Sequence, residues 1–389
     1  MKPWLKWASA FMLMAVYVAC SPKQFAKDSS FNACQNSGKN CITEDGRDFF
    51  DYSETIEGGK VDVLVVSDNS ASMSYEQANL ANRFNGFIKS MDDQRLDYKI
   101  GVITTDISNS QAGRLVAPVI TQHSGDLLQK DAAFKAAVQR PETAACEQFI
   151  TSRINACRSQ GRSDASCMSD SSYISGYNQT CPSGDERGIY AARLAVEQNA
   201  DSFVRPEADL AVIILSDEDV RGGLYRTPST GERFAPQRSA YALADADRAQ
   251  NFVSAVNAKY PGKVLGVHTF VVYSDLNCIQ QQNAQTLGVV DGSYGIEYEA
   301  LRAATGGVGA SICQPDYAPW LTRIFDNVKS RIVDKMLLAC SAPADLTVTL
   351  TNNSDPSITW TVVGAEVRFN KKLPSGTTAR VTYSCTTIW

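Results

Sequence analysis

The sequence predicts an α/β fold: a doubly wound, mainly parallel sheet with helices on both faces, followed by a small C-terminal β module. Two stretches carry that prediction. KVDVLVVSDNSASM at 60–73 and DLAVIILSDED at 209–219 are apolar runs rich in β-branched residues that end abruptly in acidic turns. A strand that is apolar at nearly every position is buried on both faces, as central strands of parallel sheets are. The third observation is order: helical and strand patterns alternate from 61 to 338, and only after residue 340 do short alternating strands take over.

The chain opens on a targeting segment, residues 1–19. Lys2 and Lys6 give it a positive start, and the apolar run at 8–19 is too short to span a bilayer. It ends Val16-Tyr17-Val18-Ala19-Cys20-Ser21. A small residue directly before a cysteine resembles the lipobox of bacterial lipoprotein signal peptides, although Tyr17 stands where leucine is usual. The resemblance implies a lipid on Cys20 and an outer-membrane anchor; the other reading is an ordinary secretory signal. Residues 20–55 are polar and lack apolar periodicity, so a tether is expected there.

The α/β domain is expected over 56–340. A strand at 61–66 leads into a helix at 75–91 with Leu80, Phe84, Phe87 and Ile88 on one face. A second strand covers 98–104, a third, parallel or antiparallel, 115–120, and a short helix 131–139. Residues 141–183 read as an insertion with four cysteines and a helix at 147–154. A helix within 184–200 precedes the strand of 209–219. The loop 220–238 then brings Arg221, Tyr225, Arg226 and Arg233 close to the strand end, a composition suited to acidic or sugar ligands, or else a solvated loop. Further expectations are a helix at 240–258, a strand at 264–273 holding His268 as a packed residue, and a loop at 274–296. A helix at 298–304 is stopped by Gly306, a strand covers 310–313, and a helix spans 318–338. The tail, 341–389, reads as four short strands at 345–350, 357–363, 365–370 and 379–385.

There are 11 cysteines; with Cys20 set apart, ten can form five disulfides. Cys34–Cys41, Cys278–Cys313 and Cys340–Cys385 are the expected pairs outside the insertion, and nested pairing, Cys146–Cys181 around Cys157–Cys167, is the expectation within it. An exported chain meets an oxidising compartment, where such bonds persist.

The chemistry concentrates after the first central strand. Asp68, Ser70 and Ser72 form Asp-x-Ser-x-Ser at a strand end followed by a helix, the place where open α/β folds hold ligands. Alternating oxygen side chains suit a hard cation such as Mg²⁺. The same residue types also cap helices, which is the alternative reading. This strand, motif and element order resemble the von Willebrand factor A domain and its metal-ion-dependent adhesion site, over residues 56–340. The nearest resemblance is to secreted bacterial lipoproteins that carry this domain. It implies Asp68, Ser70, Ser72 and Asp217 as ligands of Mg²⁺ (or Mn²⁺ or Ca²⁺). The threonine the family usually adds is missing from the loop 183–188, where Glu186 or Asp185 stands closest to its place; Glu186 is the expected fifth ligand.

Several function classes are disfavoured. A formal net charge of -5 argues against a nucleic-acid partner. Only two histidines are present, His123 and His268, and there is no His-Glu-x-x-His, Gly-x-Ser-x-Gly or phosphate loop. The expectation is therefore binding rather than catalysis: an adhesive module holding a protein or glycan ligand through an acidic group. The alternatives are an envelope scaffold with a stabilising or vestigial metal, and, further off, a metal-dependent hydrolase.

Overall fold

The computed structural model describes residues 34, 39–55, 59–108, 112–182, 186–223, 243–273, 275–288, 292–331, 335–353, 355–370, 373 and 377–386. Residues 1–33, with the expected signal segment and Cys20, lie outside these residues. At the centre is a six-stranded sheet. Its strands are β3 (Lys60–Ser67), β4 (Asp97–Thr104), β5 (Ile120–Thr121), β6 (Asp209–Ser216), β7 (Leu265–Val271) and β8 (Gly309–Ser311), in the spatial order β5-β4-β3-β6-β7-β8. All neighbours are parallel except β4 and β5. The third strand is thus antiparallel and much shorter than 115–120.

The two faces follow the period of two along each strand. Val61, Val63 and Val65 point to one face, under helices α1 (Ser74–Asp93), α2 (Leu127–Val138) and α10 (Ala318–Arg331). Leu64 and Val66 point to the other, under α6 (Gly188–Gln198), α7 (Ala249–Lys259) and α9 (Ile296–Thr305). Helix α2 starts earlier than its apolar pattern indicates, because Asp126 and Gln129 form a reciprocal capping box. Helix α9 ends where expected, with Gly306 in the left-handed region at φ 63°.

Helix α7 begins at Ala249, later than the expected 240, after a helical turn at Asp245–Asp247. The stretch 274–296, read as loop, contains helix α8 (Leu276–Gln285), capped by Asp275. The last helix stops at Arg331, and Lys335–Leu337 is a strand, β9, where helix was expected to reach 338. Edge pairing with the tail outweighs the helical periodicity there. Ile332 and Val333, within that expected span, lie outside the described residues.

The insertion holds three helices: α3 (Pro141–Ser159), α4 (Asp164–Met168) and α5 (Ser171–Thr180). Cys146–Cys181 and Cys157–Cys167 staple them. The remaining disulfides are Cys34–Cys41, Cys278–Cys313 and Cys340–Cys385.

The tether reading fails for residues 41–55. They form β1 (Cys41–Glu44) and β2 (Arg47–Thr55), and β2 pairs along its whole length with β13 (Thr378–Thr386). With β10 (Ala344–Thr351) this makes a four-stranded antiparallel sheet, β1-β2-β13-β10. The other tail strands, β11 (Trp360–Val363) and β12 (Glu366–Phe369), join β9 in a three-stranded sheet. Phe50, Val381 and Tyr383 from the first sheet and Met336, Val367 and Phe369 from the second share one core. The β module is therefore built from both ends of the described chain, and the α/β domain is spliced into it between β2 and β9. Among the described residues no helix is long and apolar enough to cross a membrane.

Phe50 is 1% exposed and stacks on Tyr383 at 4.8 Å between ring centroids, whereas its neighbour Phe49 is 42% exposed. Phe50→Ala should destabilise the module by about 3 kcal/mol, and Phe49→Ala by well under about 1 kcal/mol. Urea unfolding followed by near-ultraviolet circular dichroism measures both. Equal losses would show that 41–55 is not an integral strand pair.

Candidate metal centre

Strand β3 runs level with both neighbours: Ser67 pairs with Thr104 of β4 and with Leu215 of β6. The next residues, Asp68, Thr105 and Ser216, therefore stand level at the carboxyl end of the sheet, with Asp217 one step further. Parallel pairing thus gathers polar groups from three strands at the carboxyl end. The Asp68 N–H still donates to the Leu215 carbonyl at 2.9 Å, so the ladder reaches the first candidate ligand.

Asp68 is fully buried and well supplied with donors. Its Oδ1 accepts the Ser70 N–H at 2.8 Å, and its Oδ2 lies 2.6 Å from the Ser216 hydroxyl. This tight turn aims the motif serines inward, and their hydroxyl oxygens stand 3.2 Å apart. The capping alternative fails. Ser70 precedes the helical turn Ala71–Met73 and Met73 precedes α1, yet neither position carries a side-chain cap.

Asp217 behaves differently. It is fully buried, and neither carboxylate oxygen has a hydrogen-bond partner. Burial pushes its carboxyl well above the ordinary range, helped by the charges of Asp68 and Glu76, while the nearby Ser72 hydroxyl opposes the shift. Glu186, 2% exposed, also holds a partnerless oxygen, Oε2. Its carboxyl is raised well above normal by burial first, then by Asp68, Glu218 and Asp217.

Glu186 is fixed through its backbone. It bridges Asp106 beyond β4, the Arg187 N–H donates to the Thr105 carbonyl at 3.0 Å, and the Arg221 N–H donates to the Glu186 carbonyl. Arg187 itself turns away and forms a bidentate pair with buried Asp247, at 2.8 and 2.9 Å. Gly188 follows because a Cβ there would stand 2.6 Å from the Tyr298 hydroxyl and 3.3 Å from Thr105.

Asp68, Ser72, Asp217 and Glu186 are thus gathered in one buried place, with Ser70 at its edge. Among the described residues no three His, Cys, Asp or Glu side chains form a metal cluster by themselves; the set is mixed, with hydroxyls completing it. Partnerless carboxylate oxygens facing serine hydroxyls fit a hard cation. Of the loop residues, Arg221 lies beside Glu186 in the turn Val220–Gly223. Tyr225, Arg226, Arg233 and Asp185 lie outside the described residues. His268 is buried in β7, where its Nδ1 accepts the Val308 N–H at 3.0 Å.

Sequence reasoning missed two groups here. Thr105 is fully buried with a partnerless hydroxyl oxygen, and Ser216 holds Asp68. The register of β3 with β4 and β6 is the signal that finds both. Two other acids near the strand ends are engaged. Asp219 accepts the Ile296 and Glu297 N–H groups at the start of α9, and Asp106 accepts the N–H and hydroxyl of Ser108.

No family model and no curated protein matches the chain. Among solved structures, the pilus adhesin SpaC from Lactobacillus rhamnosus GG, in its open conformation, is similar over 89% of this chain and 42% of its own, at 10% identity and a TM-score of 0.36. A von Willebrand factor type A protein from Catenulispora acidiphila is similar over 88% of this chain and 66% of its own, at 11% identity and 0.34. The human COPII-coat protein Sec24c follows at 8% identity and 0.33, over 88% and 46%. The chain thus spans under half of the SpaC chain. Likenesses this distant say nothing of what the chain binds.

Clustered buried acids destabilise a fold when no cation offsets them. In EDTA, Asp217→Asn should therefore be more stable than the native protein by about 1–2 kcal/mol. Excess cation should reverse the order, because a ligand at a hundred times its Kd adds about 2.7 kcal/mol to the state that binds it. Urea midpoints with and without Mg²⁺ check this; a variant less stable under both conditions would speak against a site kept for a cation.

Proposed function

We propose that the carboxyl end of the sheet holds one divalent cation, Mg²⁺ or else Mn²⁺ or Ca²⁺, and presents it to an acidic group of a surface protein or glycan. The observation that carries this reading is the pair of buried carboxylates, Asp217 beside the Ser72 hydroxyl and Glu186 beside Asp68, both with partnerless oxygens. Asp68, Ser70, Ser72, Glu186 and Asp217 would hold the ion, and Thr105 is placed to add a hydroxyl. When bound, the cation supplies a fixed positive charge with coordination positions open to an outside oxygen. The protein's part is to hold its oxygens apart from water and in place. Binding is favoured over hydrolysis because Asp219 and Asp106, two acids near the strand ends that are not proposed ligands, already accept backbone donors.

Titration calorimetry with Mg²⁺, Mn²⁺ and Ca²⁺ should show a single site that Asp68→Ala abolishes. Equal heats from both proteins would sink the reading. Adhesion predicts in addition that EDTA releases the protein from its target surface, whereas a scaffold with a stabilising ion would stay bound.

The location follows from the signal segment and the cysteines. Five disulfides fit an exported chain, and the lipobox-like Ala19-Cys20 would make it an outer-membrane lipoprotein. Metabolic labelling with a fatty-acid analogue should mark the native protein and not Cys20→Ala; label retained on the variant would refute the anchor.

A further inference from the structure

The Cys-rich insertion is attached to the candidate site at both of its roots. At the first, α3 begins at Pro141 and its opening turn faces the loop that carries Asp68 and Ser70. The Thr143 hydroxyl donates to the Asn69 carbonyl at 2.8 Å. Gln77, on α1, donates from Nε2 to the Asp68 carbonyl at 2.7 Å and to the Thr143 hydroxyl at 3.2 Å, and its Oε1 accepts the Arg140 N–H at 2.9 Å. Gln77 and Thr143 are both buried, at 1% and 0% exposed. Ala71, between the two motif serines, packs into the insertion's own core against Cys146, Ile150 and Ile154. At the second root, Cys181 is bonded to Cys146, and Glu186 follows five positions later. One disulfide therefore ties the wall of the Asp68 loop to the segment that delivers the extra carboxylate.

An α/β connection does not require such a wall, and its contacts say what it does. The backbone carbonyls of residues 68 and 69 are both tied to buried side-chain donors. A loop ordered in this way loses less freedom when it takes a ligand. Rigidity also discriminates between cations. Mg²⁺ demands near-ideal octahedral geometry, while Ca²⁺ accepts variable coordination and longer bonds. A loop fixed at its carbonyls favours the first, and a loop set free favours the second.

We infer that the insertion is a clamp that makes the site selective for Mg²⁺ over Ca²⁺, with Gln77, Thr143 and the Cys146–Cys181 disulfide as its positioning groups. The inference rests on the cation reading above. It is tested on the full chain by titrating Mg²⁺ and Ca²⁺ separately. The native protein should bind Mg²⁺ more tightly. Thr143→Val, which touches no proposed ligand, should weaken Mg²⁺ about tenfold and Ca²⁺ less than about threefold, and Thr143→Ser should restore the native ratio. Cys146→Ser/Cys181→Ser should shift the ratio further the same way, while Cys157→Ser/Cys167→Ser, remote from both roots, should leave it unchanged. If the first cysteine pair cannot be removed without unfolding, the threonine variants decide. A native preference for Ca²⁺, or an equal loss of both ions in Thr143→Val, overturns the clamp while leaving the metal site standing. A native protein that binds neither ion removes the site and the clamp together.

Discussion

Confined negative charge is the constraint on which the site depends. Asp68 and Asp217 are buried at the ends of adjacent strands and Glu186 in the segment before α6, and the Asp68 charge adds to burial in raising the cost of ionising the other two. Asp68 is compensated from within by the Ser70 N–H and the Ser216 hydroxyl, whereas Asp217 has only the nearby Ser72 hydroxyl to oppose its shift. The nearest arginine in sequence, Arg187, is committed to Asp247. Uncompensated buried carboxylates cost several kcal/mol each in their charged form, so the arrangement holds together either by keeping protons or by taking a cation. The surrounding sheet and helices make the second choice available at low cost of reorganisation, because every ligand-bearing segment is fixed by backbone bonds.

How much of this could be read from the sequence depends on the range over which each residue acts. Asp68, Ser70, Ser72 and Asp217 are legible because a buried strand announces its own end: apolar period and acidic turn sit within one short stretch. Thr105 and Ser216 need the strand register, which no local pattern gives, though both directly adjoin a recognised strand end. Gln77 looks like any polar helix position, and its role exists only because a helix 63 positions away presents Arg140 to it. The capping box at Asp126 and Gln129 was readable and would have moved the start of α2 to its true place.

The β module shows the other limit. Phe49 and Phe50 sit side by side and break the alternation, and near it in sequence β2 has only the short hairpin partner β1. Its full-length partner is β13, more than three hundred positions on, as Arg380 and Asp51 record by pairing across the two strands. Taken alone, 41–55 is polar enough to read as tether, and the closing strand is what extends its short hairpin into a sheet with a core. The same distance effect ends the last helix early, since β9 gains β12 as a partner only after the tail has folded back. Cys340–Cys385, with the Tyr383 hydroxyl accepting the Ala339 N–H at 2.8 Å, fixes that return.

The sharpest distinction between structural and functional acids lies within four consecutive residues, Ser216-Asp217-Glu218-Asp219. Asp219 is buried and satisfied: its carboxylate accepts two N–H groups at the start of α9, which is where a helix favours negative charge. Asp217 is equally buried and has no donor for either oxygen. Both sit on the same tight turn, so access to backbone donors was available to the turn as a whole. The intervening N–H of Glu218 goes to the Ser216 hydroxyl, which in turn holds Asp68, and the Asp219 N–H goes to the Ser293 hydroxyl. The turn thus supplies donors to the side chains around Asp217 and withholds them from Asp217 itself. An aspartate buried beside other carboxylates without a backbone donor, two residues from one that is fully capped, has the surroundings that the proposed cation would complete.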